Sequence, residues 1–217
     1  MNQPGGTPLI VGIRSGRGRR RTLTLDDGRE FTFSDEAFAR IPVREGSPAP
    51  AGVIEALDAA DQRANAHEAA LRLLSHRARS ETEMRRRLAM RSIEPDAIEE
   101  EIGRLRQAGL LDDEQFAMAW AEERQRLAPR GRRLLRYELL SKGVAPGAVE
   151  LATQDTDDRE AAFALARQKA RNASHTDYEA FLARVGGFLR RRGFDYGVAL
   201  EAARTAWSET AADPPVD

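Results

Sequence analysis

The chain has 217 residues, 41% hydrophobic and 32% charged, with 34 Lys and Arg against 35 Asp and Glu for a net charge of −1. That length allows a sizeable core, and the high charge with an aromatic share of 6% suits thin helical layers better than one thick globule. The absence of cysteine excludes disulfides and thiolate metal sites and permits a reducing compartment. Met1 to Thr7 lacks an apolar core of signal-peptide length, and no stretch approaches the roughly 18 apolar residues of a membrane span, so a soluble cytoplasmic protein is expected.

Residues 1–60 are predicted to form a small antiparallel β extension and a linker. Leu9 to Ile13, Thr22 to Leu25 and Glu30 to Phe33 are β-prone runs, and Asp26-Asp27-Gly28 is a hairpin-closing turn. Arg17, Gly18, Arg19, Arg20 and Arg21 read as a mobile basic tip between the first two runs. Ser34 can cap a short helix through Phe38 and Arg40, and Gly46 to Gly52, with two prolines, reads as a linker.

From Asp61 on, the pattern turns helical. A first three-helix repeat is predicted over 61–111. Its opening helix carries Leu71, Leu74 and Ala78, its second starts at a Ser80/Glu83 capping box and buries Met84 and Leu88, and its third starts at Pro95 with Ile98, Ile102 and Leu105 on one face. The second repeat, 112–155, starts at a cap on Asp112, buries Phe116 and Trp120, places Leu135 and Leu139 on its middle helix and restarts at Pro146. The third, 156–208, opens near Asp157, rebuilds a capping box at Thr176 and Glu179, lines the next helix with Phe181, Val185 and Phe188 or Leu189, and runs on to Trp207. Residues 209–217 are expected to be a disordered tail.

The three units echo one another. Leu88, Ser92, Ile93 and Ile98 are matched by Leu139, Gly143, Val144 and Val149, and again by Leu189, Gly193, Phe194 and Ala199, at spacings of about 50 residues that fit helical repeats. Repeats that cannot bury their faces alone stack on their neighbours, which predicts a mainly α fold: an elongated curved array of three three-helix units after the small β extension.

Charge is distributed along the same frame. Basic residues concentrate from Arg77 to Arg91, from Arg124 to Lys142, and at Arg184 and Arg190 to Arg192, while acids gather at Glu94 to Glu101 and Asp155 to Glu160. A basic segment in the middle of each repeat predicts a basic stripe that the neutral total hides. Chemistry is harder to find. His67, His76 and His175 make no HxxxH or HExxH spacing, no GxxxxGK[ST] occurs, and Asp26-Asp27 and Asp112-Asp113 suit turn and cap duty better than catalysis, so neither an enzyme nor a metal or other cofactor is expected.

The run Arg77, Arg79-Ser80-Glu81, Glu83-Met84-Arg85, Leu88 resembles the R-x-R-S-E-x-E-[LM]-R-x-x-L signature of the RecX family of bacterial recombinase regulators. Gly109-Leu110-Leu111-Asp112-Asp113 followed by Phe116-Ala117 is similar to that family's junction between repeats, and Lys142-Gly143 and Arg192-Gly193-Phe194 are similar to its repeat endings. The resemblance covers residues 66 to 207 and departs at Ser92-Ile93, where the later repeats carry Gly. It implies three tandem three-helix units lying in the groove of a RecA filament on single-stranded DNA. From there members inhibit ATP hydrolysis, strand exchange and coprotease activity, and so modulate recombination, repair and the SOS response.

On that expectation the residues contacting RecA or DNA are Arg77, Arg79, Arg85, Arg86, Arg87, Arg132, Arg133, Arg136, Lys142, Arg190, Arg191 and Arg192. The expected partners are the RecA filament and single-stranded DNA, with double-stranded DNA a further candidate, and the protein is expected to be a monomer away from membranes. Two other readings stay open: a helical-repeat protein that binds DNA directly without RecA, and a purely structural scaffold. Salt separates the RecA-filament reading from direct DNA binding, because phosphate-driven binding to naked DNA weakens steeply as salt rises, and a scaffold would bind neither naked DNA nor the filament.

Overall fold

The structure, a computed structural model, describes residues 7–171 and 177–212. It is mainly helical. Among the described residues, strands β1 (Ile10–Ser15), β2 (Arg20–Leu25) and β3 (Glu30–Ser34) precede ten helices: α1 (Asp35–Arg40), α2 (Ala51–Leu74), α3 (Glu81–Ala89), α4 (Pro95–Gln107), α5 (Asp113–Leu127), α6 (Arg132–Ser141), α7 (Pro146–Thr153), α8 (Asp158–Ala170), α9 (Tyr178–Arg191) and α10 (Tyr196–Ala212). Two compact units result, one holding the chain through Arg79 with Glu83–Leu111, the other Ser80–Thr82 with the chain from Asp112.

In the first unit the strands form an antiparallel sheet in the order β1-β2-β3. Alternation sets its faces: Leu23 and Leu25 of β2 are buried with Ile10, Phe33, Phe38 and Leu57, while Thr22 and Thr32 pair their hydroxyls across β2 and β3 at 3.0 Å. Ser34 caps α1 as expected, accepting the Ala37 N–H at 3.3 Å. The supposed mobile tip is shorter than predicted. Arg20 and Arg21 already belong to β2, and Gly16 N–H donates to Arg20 O at 2.7 Å to close the hairpin.

The supposed linker is also structured. Gly46 N–H donates to Ile10 O at 2.8 Å, Ile10 N–H to Ser47 O at 3.0 Å, and Ala49 N–H to Pro8 O at 2.7 Å, so the segment lies along β1 as an extra edge pairing. The helix expected from Asp61 starts at Ala51 and runs 24 residues to Leu74, leaving Ala78 outside it. Its buried face is made of Ala60, Ala66, Ala69 and Ala70, and Leu71, expected inward, is 42% exposed. Asp61 sits buried on that face and ties the helix to the sheet. Its carboxylate accepts Ser34 N–H at 2.5 Å, Arg20 Nη2 at 3.1 Å and Asn65 Nδ2 at 2.9 Å, which is how a buried charge is made tolerable. Met84 and Leu88 of α3 and Ile98, Ile102 and Leu105 of α4 close against the alanine face. His67 donates or accepts through Nδ1 at 2.8 Å from Glu101, a structural contact between α2 and α4, and His76 is exposed. His175 lies outside the described residues.

In the second unit Phe116 and Ala117 of α5 pack with Leu139, Val144 and Val149. Phe181, Val185, Leu189 and Phe194 pack with Ala162 and Ala166 of α8 and Ala199, Ala202 and Ala203 of α10. Asp112 caps α5 as predicted, accepting the Glu114 and Gln115 N–H groups at 2.9 Å. The cap of α9 is displaced by one residue: Asp177 accepts the N–H groups of Glu179 at 2.9 Å and Ala180 at 3.3 Å, and Thr176 lies outside the described residues. Helix α10 continues to Ala212, so Thr210 is helical, its hydroxyl bonded to Ala206 O, where a tail was predicted.

The echo in the sequence has a backbone cause. Ser92, Gly143 and Gly193 have φ values of 58, 79 and 90°, so the middle helix of every repeat ends on a left-handed residue. The second unit adds a joint in which the start of one middle helix meets the end of the next. Gly131 N–H donates to Arg192 O at 2.9 Å and Arg132 N–H to the Asp158 carboxylate at 2.8 Å. Likewise Ser80 Oγ donates to Lys142 O at 2.6 Å and Glu81 N–H to the Asp113 carboxylate at 2.8 Å.

Candidate partner-binding surface

The middle helices α3, α6 and α9 carry most of the arginines singled out from the sequence, and the structure divides them into two kinds. The first kind is engaged within the fold. Arg79 is buried, its Nε donating to Leu73 O in the last turn of α2 at 3.2 Å and its Nη1 to Glu83 Oε1 at 2.8 Å. Burial pushes its guanidinium below the usual arginine range, and neighbouring Arg77 adds to the shift. Arg77 shares the same carboxylate, with Nη1 at 3.0 Å from Glu83 Oε2. Arg85 forks onto Glu99 at 2.7 and 3.1 Å and holds that carboxyl below its ordinary value, and Arg136 pairs with Glu150.

In the second unit Arg132 sends Nη2 to Gln154 O at 2.6 Å and Thr156 O at 3.3 Å, the free carbonyls after α7. Lys142 Nζ and Arg124 Cζ lie 4.0 and 3.9 Å from the Trp120 ring, whose Nε1 donates to Glu138 at 3.0 Å. Glu138 also pairs with Arg130, whose guanidinium is lowered by burial and then by Arg124. Arg192 lies over Phe188 at 5.1 Å and reaches Pro129 O at 3.4 Å. These cations hold α5, α6 and α9 in place, and attraction to the aromatic faces adds to their anchoring.

The second kind projects into solvent. Arg86, Arg87, Arg133, Arg190 and Arg191 are exposed and, among the described residues, none has a carboxylate partner. Arg190 does lie 5.6 Å from the Tyr196 ring. Planar guanidinium groups held on helices and open to water are suited to bidentate capture of phosphate or carboxylate oxygens. In the second unit α6 exposes Tyr137 at 69% and Leu140 at 46% beside its arginine, and in the first unit α3 is followed by Met90 at 74%, so each helix carries apolar contact area next to its cations.

Sequence reasoning did not separate these two kinds, although a signal was present. Arg85 and Glu99 recur about 51 residues later as Arg136 and Glu150, a joint shift expected of a pair that bridges two helices of one repeat. Arg91 was left out of the predicted contacts. It is exposed and precedes the left-handed Ser92 as Lys142 and Arg192 precede Gly143 and Gly193, a place where a cation also favours the helix C-terminus. Among the described residues no three His, Asp or Glu side chains are grouped to hold a metal, and no helix is long and apolar enough to cross a membrane.

Family models describing the first, second and third three-helix domains of RecX match residues 66–105, 112–152 and 156–203. A regulatory protein RecX of Corynebacterium efficiens is 37% identical over 164 residues, covering 72% of this chain and 78% of the relative. One of Mycolicibacterium smegmatis is 33% identical over 164 residues, covering 72% and 87%. The crystal structure of a regulatory protein RecX aligns over 88% of this chain and 96% of its own with a TM-score of 0.63 at 24% identity. RecX from Lactobacillus salivarius aligns over 68% and 97% with a TM-score of 0.61 at 25% identity.

Proposed function

Since the chain belongs to the RecX family of regulatory proteins, we propose that it is a non-catalytic regulator that binds the RecA filament assembled on single-stranded DNA and inhibits its ATPase, strand-exchange and coprotease activities. The observation that carries the reading is the set of exposed arginines without carboxylate partners, Arg86, Arg87, Arg133, Arg190 and Arg191, spread over the middle helices of all three repeats. Each supplies a modest contact to phosphate or to acidic protein surface. Several together multiply, so that an assembled filament is bound far more tightly than a free subunit. Three repeats, taken as 61–111, 112–155 and 156–208, then reach successive subunits, and a cytoplasmic monomer is sufficient for this role.

The test is a titration of the single-stranded-DNA-dependent ATPase of RecA with the protein, alongside binding to naked DNA over a range of salt. Inhibition of the ATPase with weak, steeply salt-dependent binding to naked DNA supports the filament reading. Tight binding to naked DNA with no effect on RecA would replace it with direct DNA binding.

A further inference from the structure

The third repeat departs from the first two at one place, and the departure opens a groove. In repeats one and two the middle and last helices are bridged by Arg85–Glu99 and Arg136–Glu150. The residues about 50 positions further on are Gly186 and Leu200, so the arginine and the glutamate that form this bridge are both missing between α9 and α10. A Cβ built on Gly186 would meet nothing within 4 Å. The space between the helices is a groove of about 480 Å³, floored by Gly186 and Gly187. That is within the size range of small-ligand sites.

The walls of the groove suggest what fits it. Tyr178 and Tyr196 line it and are 39% and 65% exposed, the former held edge-on to Trp207 with ring centroids 5.3 Å apart. Arg190 and Arg204 are exposed at its edge, against one carboxylate, Glu179. A glycine floor admits a flat ring close to the backbone, tyrosine faces stack on such rings, and guanidinium groups take phosphate. An apolar peptide side chain would use the floor and leave both arginines without a role.

We propose that this groove holds one unpaired nucleotide of a single-stranded nucleic acid, its base on the glycine floor against tyrosine and its phosphate on Arg190 and Arg204. The proposal rests on the filament reading, in which the bound polymer contains such a strand. It assigns the third repeat a direct contact with nucleic acid that repeats one and two, which carry an Arg–Glu pair at this place, do not make in this way.

The test uses the full chain and a 15-nucleotide single strand carrying 5-iodouracil, crosslinked by light and mapped by proteolysis and mass spectrometry. Crosslinks on Tyr178 or Tyr196 are expected. The double variant Gly186→Arg with Leu200→Glu, which installs the bridge of the sister repeats, should bind the strand roughly tenfold more weakly, and Tyr196→Ala should weaken it by a comparable factor. Crosslinks confined to the other repeats, or both variants binding as the parent does, overturn the groove. RecA ATPase inhibition is read separately. Inhibition without groove crosslinks sinks the groove alone, whereas groove crosslinks without inhibition sink the filament reading and leave the groove standing.

Discussion

The Asp158 carboxylate accepts the backbone N–H of Arg132 at 2.8 Å, so an acid at the start of α8 caps the start of α6. Its neighbour Asp157 caps α8 itself, accepting the Arg159 and Glu160 N–H groups at 3.0 Å. Asp112 and Asp113 divide the same two tasks between α5 and α3. Replacing Asp158 with Ala leaves a helix N-terminal donor without its acceptor and should cost ~1 kcal/mol in a urea unfolding experiment.

The pH dependence of that site has a definite sign. Burial raises the Asp158 pKa above its ordinary 3.8, outweighing the Arg132 N–H and guanidinium that lower it. The folded state therefore holds this proton more strongly than the unfolded chain, and the site's contribution to stability declines as pH climbs from 3.8 through the raised value. Asp158→Asn removes the titration, so the stability of the variant relative to the parent should rise across that window. A relative stability that falls instead would show that the ionised form is the favoured one.

At the left-handed helix ends, Ser92 occupies with φ 58° a position where glycine carries no steric cost. Ser92→Gly should therefore stabilise the protein by ~1 kcal/mol, measured as an increase in the denaturant midpoint. Gly193 is the opposite case. Its φ is 90° and an added Cβ would collide with Leu134, so Gly193→Ala should lower stability by ~2 kcal/mol.

Arg79 and Arg86 look alike in sequence and should respond differently. Arg79→Ala leaves the Leu73 carbonyl and the Glu83 carboxylate short of a donor in a buried setting, and a loss of ~3 kcal/mol is expected in thermal or chemical unfolding. Arg86→Ala, on an exposed face, should change stability by less than ~0.5 kcal/mol. If both variants unfold alike, Arg79 is not the structural residue its burial implies.

Much of the fold was legible because it repeats. Leu88, Leu139 and Leu189 are all fully buried, and the chain reverses after each at the residue the offsets single out. The sheet was legible from three β-prone runs and the Asp26-Asp27-Gly28 turn, and the burial of Leu23 and Leu25 on β2 sets its core face. What stayed hidden depends on contacts distant in sequence. Proline at positions 48 and 50 suggested a linker, yet the segment pairs with β1 and α2 starts at Ala51. Asp61 has the residue type of a helix start, yet it lies within α2 with Arg20, Asn65 and the Ser34 N–H around its carboxylate. The basic runs announced a charged surface, but charge runs do not reveal that Arg85 and Arg136 are met by Glu99 and Glu150 while Arg86 and Arg133 are left to solvent. Thr176 with Glu179 and Asp177 with Ala180 are equally good cap spacings, and only the backbone chooses between them.

The most direct test of the account is RecA ATPase on single-stranded DNA titrated with the parent protein and with the triple variant Arg86→Glu, Arg87→Glu and Arg133→Glu. Circular dichroism and the unfolding midpoint should be unchanged, because these side chains face solvent and have no carboxylate partner among the described residues. The concentration for half-inhibition should rise at least roughly tenfold, as expected when several attractive contacts become repulsive. Inhibition equal to the parent's by a folded triple variant would contradict it.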